Sequence, residues 1–159
     1  MPESVSNTGP LIALASIDQF DLLHELFGTV CIPPAVRSEI IDPRTLDAVS
    51  GANWMVVCTT KDEIAVQLLK EELDAGESEA IILARERNAD LLLLDERAAR
   101  RKAATLELTV IGTLGVLLMA KNRGLIPALK PLLADLRDAG FYMGEELYAQ
   151  VLHSAGEVV

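Results

Sequence analysis

Asn7, Glu39, Glu77 and Asp95 are far apart in the chain, yet the order of elements implied by the sequence brings all of them to one edge of the fold. Oxygen donors gathered at one place suit a hard divalent cation, Mg²⁺ or Mn²⁺. The chemistry such a site offers is attack of water on a phosphodiester, with the cation activating the water and offsetting charge on the leaving oxygen. Arg97, Arg100 and Arg101 follow Asp95 directly and offer phosphate contacts.

The elements that must position these groups are clearest between Gly76 and Glu96. Ala80, Ile81, Leu83 and Ala84 make an apolar helical stripe, and Arg85 to Arg87 fall largely outside it. Asn88 and Ala89 end that helix. Leu91 to Leu94 is an apolar run without alternation, as expected of a strand covered on both faces. Helices of a parallel sheet begin at the edge where its strands finish. Glu77 at a helix start and Asp95 at a strand end therefore share an edge, the one at which open α/β sheets bind ligands.

Other strands are predicted at Ser4–Ser6, Thr29–Ile32, Thr109–Ile111 and, at a sheet edge, Trp54–Cys58. Helices separate them. One follows Asn7-Thr8-Gly9-Pro10, with Thr8 as its N-cap; another opens at Asp18 and stops at Gly28. Pro33-Pro34 start a helix that carries Glu39 in its second turn. A short helix or loop spans Asp42–Asn53, and a helix runs from Thr60 or Lys61 to Leu73. Beyond the basic helix from Glu96 to Thr105, Gly112-Thr-Leu-Gly115 opens an apolar helix, followed by helices over Pro127–Ala139 and Gly144–Ser154. This alternation predicts a three-layer α/β/α sandwich around a mostly parallel sheet, in one domain over 1–159 with helices 112–156 packed on it.

Each candidate also has a purely structural use. Glu77 can complete a capping box with Asp74, and Asp95 can cap the basic helix. Glu39 can be an exposed helix-border carboxylate, Asn7 a turn residue, and the arginines a solvated face. Gly112-Thr-Leu-Gly115 is no phosphate loop, since no Gly-Lys-Ser/Thr follows.

Composition narrows the field. Half of the residues are apolar, as a packed core requires, and no run is long enough to span a membrane. The opening Met-Pro-Glu-Ser lacks the pattern of a signal peptide, and Cys31 and Cys58 read as isolated buried thiols of a reducing cytoplasm. His24 and His153 are too scattered for zinc. A net charge of −10 opposes nonspecific binding to a polyanion and leaves room for a local cation site.

Ser6-Asn-Thr-Gly-Pro-Leu-Ile-Ala-Leu-Ala15 and Ile32-Pro-Pro-Ala-Val-Arg-Ser-Glu-Ile40 resemble the opening of PIN-domain proteins, and Gly76-Glu77, Leu94-Asp95 and Gly112-Thr-Leu-Gly115 continue the likeness. The branch is that of predicted nucleic-acid-binding PIN proteins, similar to VapC-type toxins. The resemblance implies a metal-dependent ribonuclease with an acidic cluster whose second, third and fourth members fall on Glu39, Glu77 and Asp95, with Glu79 as a weaker alternative for the third. The first member, an Asp in the family, falls on Asn7. Implied partners are RNA, a small antitoxin protein and a second copy of the chain. Apolar helices over Ile111–Met119 and Leu125–Leu136 suggest the surface for that homodimer. Two other classes remain: a PIN-like module that binds RNA or a protein without cutting, and a phosphoacceptor receiver domain, which would need an acidic pair where Ser6 and Asn7 stand.

Overall fold

The computed structural model describes residues 3–159; Met1-Pro2, weighed above for a leader, lie outside them. In chain order the elements are β1 (Ser4–Ser6), α1 (Thr8–Ser16), α2 (Leu22–Phe27), β2 (Val30–Ile32), α3 (Pro34–Glu39), α4 (Pro43–Ser50), β3 (Met55–Val57), α5 (Glu63–Leu69), α6 (Ala75–Glu86), β4 (Leu91–Leu93), α7 (Arg97–Thr105), β5 (Val110–Ile111), α8 (Thr113–Asn122), α9 (Lys130–Asp138) and α10 (Glu145–Ser154).

The strands form one sheet in the order β3-β2-β1-β4-β5, and every neighbouring pair is parallel. From β1 the chain builds outward to β3, then returns past β1 to lay down β4 and β5. Right-handed crossovers in opposite directions put their helices on opposite faces, which makes the α/β/α sandwich. The order reverses between β1 and β4. There Ser6 lies opposite Leu93, and the Asn7 N–H continues the ladder to the Leu93 carbonyl at 2.9 Å. A crevice opens at such a reversal, beyond the strand carboxyl ends. Val5, Val30, Leu92 and Leu93 are buried in the central strands, whereas Val56 and Val57 on the edge strand β3 are exposed.

Several boundaries differ from the sequence reading for local reasons. Asp18 adopts φ 58°, a left-handed turn, so α2 starts only at Leu22. Asp62 caps α5 by accepting from the Ala65 N–H at 3.0 Å, and that helix ends at Leu69 rather than Leu73. Asp42 likewise caps α4 through the Thr45 N–H at 3.0 Å, which resolves the irregular 42–53 stretch into a helix. The cysteines are not isolated: burial, then a hydrogen bond with Cys58, pushes the Cys31 thiol up to about 11. Both remain free thiols, and a thiol so seldom ionised is a poor nucleophile.

Much of the apolar content of the C-terminal helices is taken up inside the chain. Val116, Leu117, Ala120, Leu129, Leu133 and Leu136 are fully buried without a second copy. In the same segments Leu114, Leu118, Met119 and Leu132 are half-buried and Leu125 is exposed. Glu157 closes this end by accepting from the Leu129 and Lys130 N–H groups at 2.6 and 3.1 Å, at the start of α9. Among the described residues no helix is long and apolar enough to cross a membrane.

Candidate active site

Asn7 directly follows β1 and stands at the N-cap position of α1, which the sequence reading gave to Thr8. An N-cap Asn normally turns its carbonyl oxygen onto the N–H of the second or third helical residue. Here the backbone is extended (φ −82°, ψ 175°) and the side chain makes no capping bond. Asn7 Oδ1 is buried with no hydrogen-bond partner. Such an orphaned acceptor costs about 1–3 kcal/mol, so turn chemistry does not account for this amide.

Glu39, the last residue of α3, is no free surface carboxylate. Its Oε2 accepts from Thr8 Oγ1 at 2.5 Å and its Oε1 from the Gly76 N–H at 2.9 Å. The side chain thus joins the end of α3 to the starts of α1 and α6. Gly76 lets the carboxylate come this close: a Cβ there would lie 2.4 Å from Glu39 Oε2, and the Glu39 side chain would have to move.

Glu77 does form the capping box. Asp74 Oδ1 accepts from the Glu77 N–H at 2.7 Å, and Glu77 Oε1 accepts from the Asp74 N–H at 3.2 Å. That duty leaves its second oxygen uncommitted in the box. Burial, the largest influence, raises the Glu77 pKa; the bond from the Asp74 N–H opposes it, and the charges of Asp74, Glu96 and Glu39 add to the rise. Glu96 is therefore part of the same negative field.

Asp95 does not cap the basic helix; Glu96 holds that position, with no side-chain capping bond. Instead Asp95 is oriented by Thr113, whose N–H donates to Oδ1 at 2.7 Å and whose Oγ1 donates to Oδ2 at 2.6 Å. Glycines lie against it on two sides, and only at Gly112 would a Cβ crowd it. A Cβ on Gly9 would sit 3.6 Å from Oδ2, and one on Gly112 would sit 2.7 Å from Oδ1.

These contacts link the sequence-selected residues around one rim. Thr8, next to Asn7, touches Glu39; Glu39 touches Gly76, next to Glu77; and Gly9, two residues after Asn7, faces Asp95. The rim is open rather than a closed cage: among the described residues no three His, Cys, Asp or Glu side chains are grouped so as to hold a metal ion. The donor set nevertheless fits a hard cation. It is all oxygen, burial and then the mutual charge of its carboxylates raise the Glu77 pKa, and Asn7 Oδ1 is a buried acceptor without a donor. Mg²⁺ in particular binds through one or two carboxylates and keeps several waters, so a closed cage is not needed.

Other candidates separate. Glu79 accepts from the Ala35 N–H at 3.0 Å and so serves the start of α3, not the rim. Arg100 reaches the rim, Arg97 stays exposed, and Arg101 lines a surface hollow with Glu72, Leu73 and Lys102. A larger hollow along α5, lined by Ile64, Leu68 and Glu71 among others, contains none of the four rim residues. Thr8, Glu96 and Thr113 escaped the sequence reading as site residues. Thr113 lies inside Gly112-Thr-Leu-Gly115, which the sequence marks as the opening of an apolar helix.

A family model described as PIN domain matches residues 3–157. No curated protein matches the chain. Among solved structures, a PilT N-terminus domain protein from the hyperthermophilic archaeon Sulfolobus solfataricus P2 is 22% identical, over 72% of this chain and 89% of its own, with a TM-score of 0.43.

Proposed function

Because the chain belongs to the PIN-domain family, whose members are generally nucleases that use divalent metal ions, we propose that it is a Mg²⁺- or Mn²⁺-dependent ribonuclease. In this reading it is the toxin-type component of a toxin–antitoxin module, acting in the cytoplasm with a small antitoxin protein as partner. The observation that carries the metal reading is the buried, unpartnered Asn7 Oδ1 at the sheet's reversal point, on the same rim as Glu39, Glu77 and Asp95. Glu77 and Asp95 are the main ligands, and Glu39 and Asn7 complete the site directly or through water. A divalent ion bound there would supply an activated water and offset charge on the leaving oxygen.

The chain's own residues prepare that chemistry. Thr113 holds both oxygens of Asp95, and Thr8 with Gly76 holds both oxygens of Glu39, so neither carboxylate must be ordered when an ion arrives. The negative field on Glu77 favours any cation that enters, a proton included.

Titrating Mn²⁺ while following cleavage of a structured RNA tests the proposal. Wild-type protein should cleave with Mn²⁺ and stop on chelation, and Asp95→Asn should abolish cleavage. Cutting that survives both chelation and Asp95→Asn overturns the metal mechanism.

A second reading has its own observation. Asn7 supplies one negative charge fewer than the Asp it replaces in the family resemblance, and charge count sets affinity for hard cations. A module that binds RNA or a protein without cutting would follow. RNA binding with no cleavage at any Mn²⁺ concentration identifies that case.

A further inference from the structure

Arg100 is set apart from the other cations of α7. Lys102 pairs with Glu72 at 2.9 Å, and Arg101 lies over the same side of the helix, beside Glu72 and Leu73. Arg100 turns back toward the sheet, where its Nη1 donates to the Leu94 carbonyl at 3.2 Å, at the end of β4. The same nitrogen would lie 2.6 Å from a Cβ on Gly112, and Asp95 Oδ1 would lie 2.7 Å from it. Guanidinium and carboxylate thus flank the bare Gly112 backbone. They do not form an ion pair, and Arg100 enters none of the ion pairs among the described residues.

Two consequences follow. Arg100 is exposed and has one N–H engaged by the protein in its described hydrogen bonds, leaving four of a guanidinium's five donors. Moreover, an acidic rim on a protein of net charge −10 repels a polyanion, so seating a phosphate beside Asp95 calls for a fixed cation within a Debye length, about 8 Å at physiological salt. A planar, permanently charged fork with free donors is well suited to phosphate oxygens.

We propose that Arg100 is a substrate-binding residue, donating to a non-bridging phosphate oxygen of the RNA strand where it passes Asp95, and that Gly112 lacks a side chain to leave room for this. The inference rests on the ribonuclease reading above. Its test is binding rather than turnover: fluorescence anisotropy with two short single-stranded RNAs of unrelated sequence, over a salt series, with Ca²⁺ in place of Mn²⁺ and RNA integrity checked on gels. Arg100→Gln should weaken both RNAs by roughly tenfold. It should also flatten the dependence of log affinity on log salt by about 0.7, the share of one phosphate contact on a single strand. Arg100→Lys should restore the slope and only part of the affinity, because lysine keeps the charge and loses the fork. Arg101→Gln should change neither.

Unchanged affinity and slope for Arg100→Gln, or an equal loss for Arg101→Gln, would overturn the assignment and leave the ribonuclease reading standing. Wild-type protein that binds neither RNA would overturn both. Should Arg100→Gln prove unfolded by circular dichroism, Arg100→Lys decides: partial affinity at wild-type slope supports the role, and full wild-type affinity refutes it.

Discussion

Gly76 and Glu39 meet where α6 begins and α3 ends, with the Gly76 N–H donating to Glu39 Oε1 at 2.9 Å. There is no space between them for a methyl group. Helix propensity alone says Gly76→Ala should stabilise by about 1 kcal/mol. The carboxylate is the free end of a flexible side chain, so it should swing away and lose its bonds to Gly76 and Thr8. Hydrogen bonds to a charged group are worth about 1.5–3 kcal/mol, which outweighs the propensity gain. We expect a net loss of roughly 1 kcal/mol in urea unfolding, and non-additivity with Glu39→Gln. A stabilised Gly76→Ala protein would show that the Glu39 anchor is not made.

Asn7→Asp should act with opposite sign in the two metal states. Without metal, a further carboxylate joins a buried, already negative rim, and the melting temperature should fall. With Mn²⁺ present, the added charge should tighten binding and raise both the melting temperature and RNA cleavage. Thermal melts with and without Mn²⁺, alongside a cleavage assay, measure this. If neither quantity moves, Asn7 is a turn residue and nothing more.

Glu77→Gln removes a charge while keeping an acceptor for the capping box, in which Gln also serves. In the folded protein the Glu77 pKa is raised, first by burial and then by neighbouring carboxylates. Folding therefore favours the protonated form. The ionised group destabilises the fold increasingly as pH rises through the unfolded carboxyl value, and fully above the folded one. In chelator, Glu77→Gln should be the more stable protein at neutral pH, by on the order of 1 kcal/mol. The difference should vanish below the normal glutamate range. The variant should also lose the thermal shift on Mn²⁺ addition. A neutral-pH loss of stability would place the capping bond above the charge.

Glu157 makes the opposite prediction. The Leu129 N–H first, then Lys121, hold its pKa below the usual carboxylate value, aided by the Lys130 N–H. Its contribution is present above the unfolded pKa and is lost as pH falls through the folded one. Glu157→Ala should cost about 1–2 kcal/mol, as for loss of a helix cap. The cost should shrink on acidification and leave the rim untouched. Denaturant unfolding at neutral and acid pH checks this; a pH-independent cost would assign the loss to packing.

Local pattern in the sequence was enough to determine the element order, the parallel α/β class and the edge that carries Asn7, Glu39, Glu77 and Asp95. Gly28 and Pro33-Pro34 mark element ends by backbone geometry, and the unalternating Leu91–Leu94 run marks a strand covered on both faces. The edge then follows from the parallel rule, without side-chain detail. What each carboxylate touches there depends on contacts between residues distant in sequence. Glu39 meets Gly76 and Asp95 meets Thr113 because the crossovers juxtapose their elements, and no spacing encodes those pairings. Glu79, the weaker alternative to Glu77 in the sequence, is occupied by the Ala35 N–H, a partner that only the packing of α3 against α6 supplies. Likewise, Arg97, Arg100 and Arg101 are equivalent in composition, and only the approach of α7 to β4 and Gly112 singles out Arg100. Which C-terminal leucines are buried, Leu117, Leu129, Leu133 and Leu136 among them, depends on how much surface the packed helices cover, and a count of apolar residues does not show that. Periodicity is a local property of the chain, whereas burial and hydrogen-bond partnership are properties of the packed whole.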